Sequence, residues 1–341
     1  MNTRYSRQIL FAPIGRAGQE KLLQSRVTIV GMGALGTVLA NHMVRAGVGF
    51  VRLIDRDFVE PSNLQRQMLY DESDAAEHLP KAMAAHAKLT RINSEVVIEP
   101  IVADLTANNA EQWLSDVDLV LDATDNFQVR YLINDVCVKH GIPWVYGGAV
   151  SATGTFTAIR PGETPCLRCL FPEAPNPGEM ATCDTAGVIG PIIHIVASYQ
   201  ATEALKMLVG ADDARNPNLE HFDLWNNQHQ QIRVANARRA DCPTCGQKQF
   251  SFLQPQTQEG QAVSLCGRDT VQISPSADAS LDLDALAKRL SPLGTVERNR
   301  FLLRFHAEPH TLVVFPDGRV LVQGTDDISL ARTLHARYIG A

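Results

Sequence analysis

Residues 27–36 read Val27-Thr28-Ile29-Val30-Gly31-Met32-Gly33-Ala34-Leu35-Gly36, and this stretch decides the fold. Four β-branched or threonine positions suit a buried strand, and the glycines at 31, 33 and 36 follow it in the spacing GxGxxG. A helical pattern runs on to Ala46, where Gly47 and Gly49 stop it. The next apolar run, Phe50-Val51-Arg52-Leu53-Ile54, ends at Asp55. Strand, glycine turn, helix and strand within about 30 residues make a right-handed βαβ unit. Such a turn lets a phosphate approach the backbone, and the helix N-terminus offers unpaired N–H donors. A carboxylate closing the second strand, Asp55, suits ribose hydroxyls. The stretch therefore reads as a nucleotide site, with a ligand-free βα turn as the plain alternative, and it leaves the nucleotide unspecified.

Working outward, helices are expected at 81–91, from 108, and at 126–139, with strands at 96–101, 117–121 and 143–146. This alternation favours a mainly parallel sheet covered by helices. Residues 154–160 alternate as an edge or antiparallel strand would. A loop rich in Pro, Gly and Cys covers 161–187. The apolar stretch 188–210 contains Pro191, His194, Gln200, Glu203 and Lys206, so it reads as a buried core helix rather than a membrane span. Residues 221–225 and 231–234 look like a closing hairpin. The expected fold class is α/β, a Rossmann-like, mainly parallel sheet with antiparallel strands at one side. A domain at 1–246 is followed by a polar linker at 247–261 and a small C-terminal α+β domain at 262–341. That tail reads as strands at 271–273, 301–305, 311–315 and 319–323 and helices at 283–290 and 328–338, with Asp317-Gly318 as a hairpin turn.

The 341 residues are 45% hydrophobic and 20% charged, an ordinary globular balance. A net charge of −6 argues against a nucleic-acid partner. Residues 1–7 lack the apolar core of a signal peptide. With no membrane span either, the expected compartment is the cytoplasm, where seven cysteines serve as thiols, metal ligands or redox actors rather than structural disulfides.

The stretch from Asp57 through Glu60, Pro61, Ser62, Asn63, Leu64, Gln65 and Arg66 to Gln67, with Lys81 beyond it, bears on the choice of nucleotide. A nicotinamide dehydrogenase needs little cationic charge here. Attack on an α-phosphate builds charge on phosphorus oxygens and departing pyrophosphate, which Arg66, Lys81 and Mg²⁺ are suited to stabilise. Asn63 is suited to orient a phosphate. Asp125 follows a strand's carboxyl end, where open α/β sheets bind ligands and where a carboxylate can hold Mg²⁺. Each residue alone reads more readily as a solvated charge or, for Asn126, a helix cap, and it is their grouping at strand ends of one nucleotide fold that favours the site. Two CxxC pairs, Cys166/Cys169 and Cys242/Cys245, have the spacing of a four-thiolate structural Zn²⁺ site. Cys183 is unpaired and precedes a helix start; Cys137 and Cys266 read as small core residues.

Over residues 4–246 the sequence resembles the MoeB/ThiF family, prokaryotic relatives of ubiquitin-activating enzymes. The matching motifs are Arg4-Tyr5-Ser6-Arg7-Gln8, the glycine loop, residues 55–67, Lys81, Ala123-Thr124-Asp125-Asn126 and the cysteine pairs. Ala34 stands where the family often has a further glycine. The resemblance implies that Asp55 binds the ATP ribose, that Asn63, Arg66 and Lys81 bind phosphates, and that Asp125 serves Mg²⁺ and adenylation. Gly31, Gly33, Gly36 and Asp57 join these as nucleotide-binding positions. It further implies that Arg7 reaches across a homodimer to the neighbour's ATP, and that Cys183 receives the activated carrier or sulfur. The implied activity is ATP-dependent adenylylation of the C-terminal Gly-Gly of a ubiquitin-like sulfur-carrier protein, with a sulfurtransferase or cysteine desulfurase as a further partner. The thiazole (thiamin) branch is the expectation; the molybdopterin branch and a nucleotide-regulated scaffold without turnover are the alternatives.

Overall fold

The computed structural model describes residues 3–174, 183–254, 262–265, 269–274 and 281–340. The chain divides into two compact units, one of residues 1–176 and 186–254, the other of 177–185 and 255–341.

The first unit carries an eight-stranded sheet. Its strands are β1 (Arg26–Val30), β2 (Phe50–Ile54), β3 (Val97–Ile101), β4 (Leu119–Asp122), β5 (Trp144–Val150), β6 (Thr153–Ile159), β7 (Asn218–Asp223) and β8 (Gln228–Arg233), in the order β3-β2-β1-β4-β5-β6-β7-β8. The first five run parallel, and β6 to β8 continue antiparallel at one side. Successive residues point to opposite faces, so each central strand feeds two cores. Ile29, Leu53, Leu121 and Val145 join one, while Val30, Ile54, Val120 and Trp144 join the other. The first core is closed by α1 (Gly15–Gln24), α2 (Ala34–Ala46), α3 (Lys81–Ile92) and α5 (Gly190–Val209), the second by α4 (Phe127–His140). Burial on both faces is why these strands read as continuous apolar runs.

Residues 154–160 prove to be an internal antiparallel strand, paired with β5 and β7, rather than an edge. The edge is β8, whose six residues are all exposed and mostly polar, which discourages pairing with another chain. The apolar stretch 188–210 forms α5, packed in the first core. Among the described residues no helix is long and apolar enough to cross a membrane. The ordered first unit runs past Gly246: Ser251–Leu253 forms a 3-10 turn, and Phe252 stacks on Tyr131 of α4 at 5.0 Å. Residues 255–261, the rest of the expected linker, lie outside the described residues, as does Cys266.

The second unit is a six-stranded antiparallel sheet of β9 (Ala262–Leu265), β10 (Thr270–Ile273), β11 (Thr295–Arg298), β12 (Leu303–Ala307), β13 (His310–Val314) and β14 (Val320–Gln323), ordered β11-β12-β13-β14-β10-β9. Helices α6 (Leu283–Leu290) and α7 (Ile328–Tyr338) contribute Leu286, Leu290, Ala331 and Leu334 to its core. The strand expected from 301 begins at Leu303, because the Asn299 carboxamide oxygen accepts from the backbone N–H of Phe301 and Leu302 and holds them in a turn. Strands β9 and β11 had no sequence expectation.

Candidate active site

The carboxyl ends of β1, β2 and β4 meet at the glycine loop. Gly31 has φ +92°, and a Cβ there would lie 2.7 Å from the Ala123 carbonyl oxygen, so only glycine lets β1 turn against the end of β4. A Cβ at Gly36 would lie 1.9 Å from the Gly31 carbonyl oxygen, so α2 must present no side chain to the turn. Gly33 differs: nothing approaches its absent Cβ closer than Gln67 Nε2 at 3.9 Å. It is also the N-cap of α2 and provides no side-chain cap. Open space therefore faces the positive end of a helix, an arrangement suited to an anion.

Asp55 is tied into this turn. Its carboxylate accepts from Met32 N at 2.6 Å and from Asp57 N at 2.7 Å. Burial pushes its pKa up, while the Lys81 ammonium pulls the other way. Lys81, almost fully buried at the start of α3, places Nζ 3.3 Å from Asp57 Oδ2. Asp57 thus acts on Lys81. Tyr70 donates its hydroxyl to the carbonyls of Met32 and Lys81, at 2.7 and 3.1 Å, and so joins the glycine loop to α3.

The 3-10 turn Pro61–Asn63 carries the next group. Asn63 is buried and accepts from Glu60 N at 3.1 Å. Arg66 is half-buried and donates to the Ser62 carbonyl at 2.8 Å. Beyond β4, Asp125 is exposed, and Asn126 caps α4 by accepting from Gln128 N and Val129 N. The structure therefore gathers Gly31, Gly33, Gly36, Asp55, Asp57, Asn63, Lys81 and Asp125 around neighbouring strand ends and the turns that follow them, with Arg66 on the turn beside Asn63.

Arg7 is not with them. It is exposed in Ser6–Ile9, next to Gln8, whose Nε2 donates to the Ala46 carbonyl at 2.9 Å, at the last turn of α2. The glycine loop is at the first turn, about 20 Å away along a 13-residue helix. Cys183 opens the short helix Cys183–Ala186 in the second unit; its side chain lies outside the described residues, as do residues 175–182 of the 161–187 loop.

Three residues without an individual role in the sequence reading belong to this edge. Arg56 stays charged against its burial because Asp104, Asp57 and Asp125 surround it, with Nη1 2.9 Å from Asp104. Arg130 is likewise buried, beside Tyr146, Asp122 and Asp125; it donates to the Thr124 carbonyl at 2.6 Å and the Gly147 carbonyl at 3.2 Å. It thereby holds the loop carrying Asp125. A cation inside the apolar face of α4 was the available signal. Gln67 is the third.

Elsewhere in the first unit, the Sγ atoms of Cys166, Cys169, Cys242 and Cys245 lie within 4.8 Å of one another, and all four residues are buried. Cys169–Cys245, Cys166–Cys242 and Cys166–Cys169 have Sγ separations of 3.4, 3.6 and 3.9 Å. A tetrahedron of thiolates about 2.3 Å from a zinc ion has edges of about 3.8 Å. Burial pushes the Cys166 and Cys169 thiols up, Cys169 to about 11, and a bound cation would supply the ionisation these two resist, whereas Cys242 is held below its ordinary value against its burial by the backbone N–H groups of Cys245 and Thr244 and the neighbouring thiols. The donor set fits Zn²⁺. Cys137 lies elsewhere, fully buried in α4 as a core residue.

Residues 5–244 match the ThiF family. The chain belongs to that family. Along its whole length it is 48% identical to "Sulfur carrier protein ThiS adenylyltransferase" of Bacillus subtilis strain 168, covering 100% of both chains. It is 38% identical over 242 residues to "Adenylyltransferase and sulfurtransferase MOCS3" of Culex quinquefasciatus, covering 71% of this chain and 55% of that protein. Among solved structures, E. coli MccB with ATP aligns at a TM-score of 0.63 and 22% identity, over 72% of this chain and 75% of MccB, a likeness of fold. The ThiF match spans the glycine loop, the strand-end carboxylates and all but the last of the four clustered cysteines.

Proposed function

We propose that this chain is an adenylyltransferase that activates the C-terminal Gly-Gly carboxylate of a ubiquitin-like sulfur carrier with ATP. The observation that carries the reading is the edge where Gly31, Gly33, Asp55, Lys81 and Asp125 converge, in a chain alike from end to end to a relative named for that reaction. Asp55, with both oxygens oriented by backbone N–H groups, keeps lone pairs for the ribose hydroxyls. Asn63, Arg66 and Lys81 bind the phosphates, and Asp57 aims Lys81 by pairing with it. The carrier's carboxylate attacks the α-phosphorus, the bond to the bridging oxygen breaks, and pyrophosphate leaves an acyl-adenylate. No protein base is required, because a C-terminal carboxyl is already ionised at neutral pH. Catalysis is positioning and charge stabilisation. Asp125 would hold Mg²⁺, which supplies a counter-charge to the phosphate oxygens.

Arg7 acts on the neighbouring subunit's ATP in a homodimer; its distance from its own glycine loop supports this. Zn²⁺ in the Cys166, Cys169, Cys242, Cys245 cluster is structural, and Cys183 receives the activated carrier or its sulfur, delivered by a sulfurtransferase or cysteine desulfurase. The thiazole branch is favoured over the molybdopterin branch. The likeness to the ThiS enzyme includes the C-terminal unit, whereas the likeness to MOCS3 covers 71% of the chain. The Asp125→Asn variant tests the assignment: carrier adenylylation, read by mass spectrometry, should vanish while the fold persists. Undiminished adenylylation refutes the role.

A further inference from the structure

Gln67 is 4% exposed, yet among the described residues its amide oxygen has no hydrogen-bond partner. Its backbone is held by Gln67 N donating to the Asn63 carbonyl at 3.0 Å and by its own carbonyl accepting from Tyr70 N at 3.1 Å. The side chain is therefore delivered to one place, the wall opposite Gly33. There Oε1 is buried, with no hydrogen-bond partner among the described residues. Among the described residues, Gly33's own chain neighbours aside, Nε2 is the one atom within 4 Å of where a Gly33 Cβ would stand. Packing alone does not call for an amide here; a methionine or leucine fills the same volume without burying an unpaired acceptor. Gly31 and Gly36 are glycines because backbone atoms crowd them, whereas the room at Gly33 is left open. An open space bounded by a helix N-terminus on one side and the Gln67 Nε2 donor on the other is shaped for a ligand that accepts hydrogen bonds.

We infer that Gln67 is a nucleotide-binding residue whose Nε2 donates to a phosphate oxygen of ATP across the gap left by Gly33. The inference rests on the adenylyltransferase reading and extends its phosphate-binding set by an uncharged member. Gln67 follows Arg66 directly and stands four residues after Asn63, on the turn whose Tyr70 hydroxyl is bonded to the Met32 and Lys81 carbonyls. An amide supplies direction without adding a cation, which suits a site already holding Lys81, Arg66 and Arg56.

The test compares wild-type protein with Gln67→Met and Gln67→Glu, measuring ATP and adenosine binding by calorimetric titration and competition. Thermal unfolding without nucleotide and the ATP dependence of pyrophosphate exchange accompany it. Losing a hydrogen bond to a charged phosphate weakens binding about tenfold or more. Gln67→Met should therefore lower ATP affinity about tenfold, leave adenosine affinity and thermal midpoint unchanged, and raise the KM for ATP without raising that for the carrier. Gln67→Glu, which sets an anion against the phosphates, should weaken ATP further and still spare adenosine. Equal losses for ATP and adenosine, or a lowered midpoint without nucleotide-specific loss, assign Gln67 to structure and overturn the inference. Unchanged ATP affinity in both variants also overturns it while the adenylyltransferase reading stands. A wild-type protein that binds neither ligand refutes that reading and this inference with it.

Discussion

Replacing Gly36 by alanine sets a usual stabilising change against the geometry of this turn. In an open helix interior the substitution adds about 0.8–1 kcal/mol of stability. In α2 the new Cβ would stand 1.9 Å from the Gly31 carbonyl oxygen and 2.9 Å from its carbon, where real Cβ atoms essentially never come under 3.0 Å. Helix and turn must separate by about 1 Å, and overpacking of this kind costs about 1–3 kcal/mol, toward the upper end when backbone must move. The net expectation is a loss of about 2 kcal/mol. Gly33→Ala, with no neighbour nearer than 3.9 Å, should lose under about 1 kcal/mol, the scale of a cap change, while weakening ATP binding. Urea unfolding followed by tryptophan fluorescence reads this directly, since Trp113, Trp144 and Trp225 all lie in the first unit. A Gly36→Ala protein as stable as wild type or more so, or a Gly33→Ala protein losing as much as Gly36→Ala, would refute the packing argument.

Metal analysis should find one zinc per chain, and Cys242→Ser or a strong chelator should lower the thermal midpoint of the first unit; a metal-free protein of unchanged stability contradicts the assignment. Mixing Arg7→Ala with Asp125→Asn subunits should restore about a quarter of wild-type adenylylation, because half the dimers are mixed and each then has one intact site; no recovery on mixing argues that Arg7 does not serve the neighbour. The Lys88 ammonium, the Ser73 hydroxyl and the N-terminal N–H groups of Glu72–Ala76 hold the Asp71 carboxyl below the usual range. Its contribution to stability is therefore present above about pH 4 and lost as pH falls through its folded value. Asp71→Ala should show a smaller drop in urea midpoint between pH 7 and pH 3 than wild type; equal drops count against this.

The legible parts of the fold were those with unambiguous local physics. Val27 to Asp55 announced a βαβ unit because both faces of β1 and β2 are buried and the glycines have no other use in that pattern. The four cysteines were legible because their spacing admits few arrangements, and Asp125 because it follows a strand end. Strands β9 and β11 escaped because Ala262–Leu265 and Thr295–Arg298 are four residues each and carry no strong alternation. Gln67 has no role legible in the sequence, since its meaning lies in the space left by Gly33, thirty-odd residues away. Arg56 and Arg130 gain theirs from Asp104 and from the Thr124 and Gly147 carbonyls, contacts made only when distant strand ends assemble.

The most direct test of the central claim is ATP–pyrophosphate exchange, with and without sulfur carriers ending in Gly-Gly. The account predicts exchange that depends on the carrier, strongest with a ThiS-type protein and absent when the terminal glycine is removed. Bound ATP with no exchange for any carrier would contradict it and leave a nucleotide-regulated scaffold in its place.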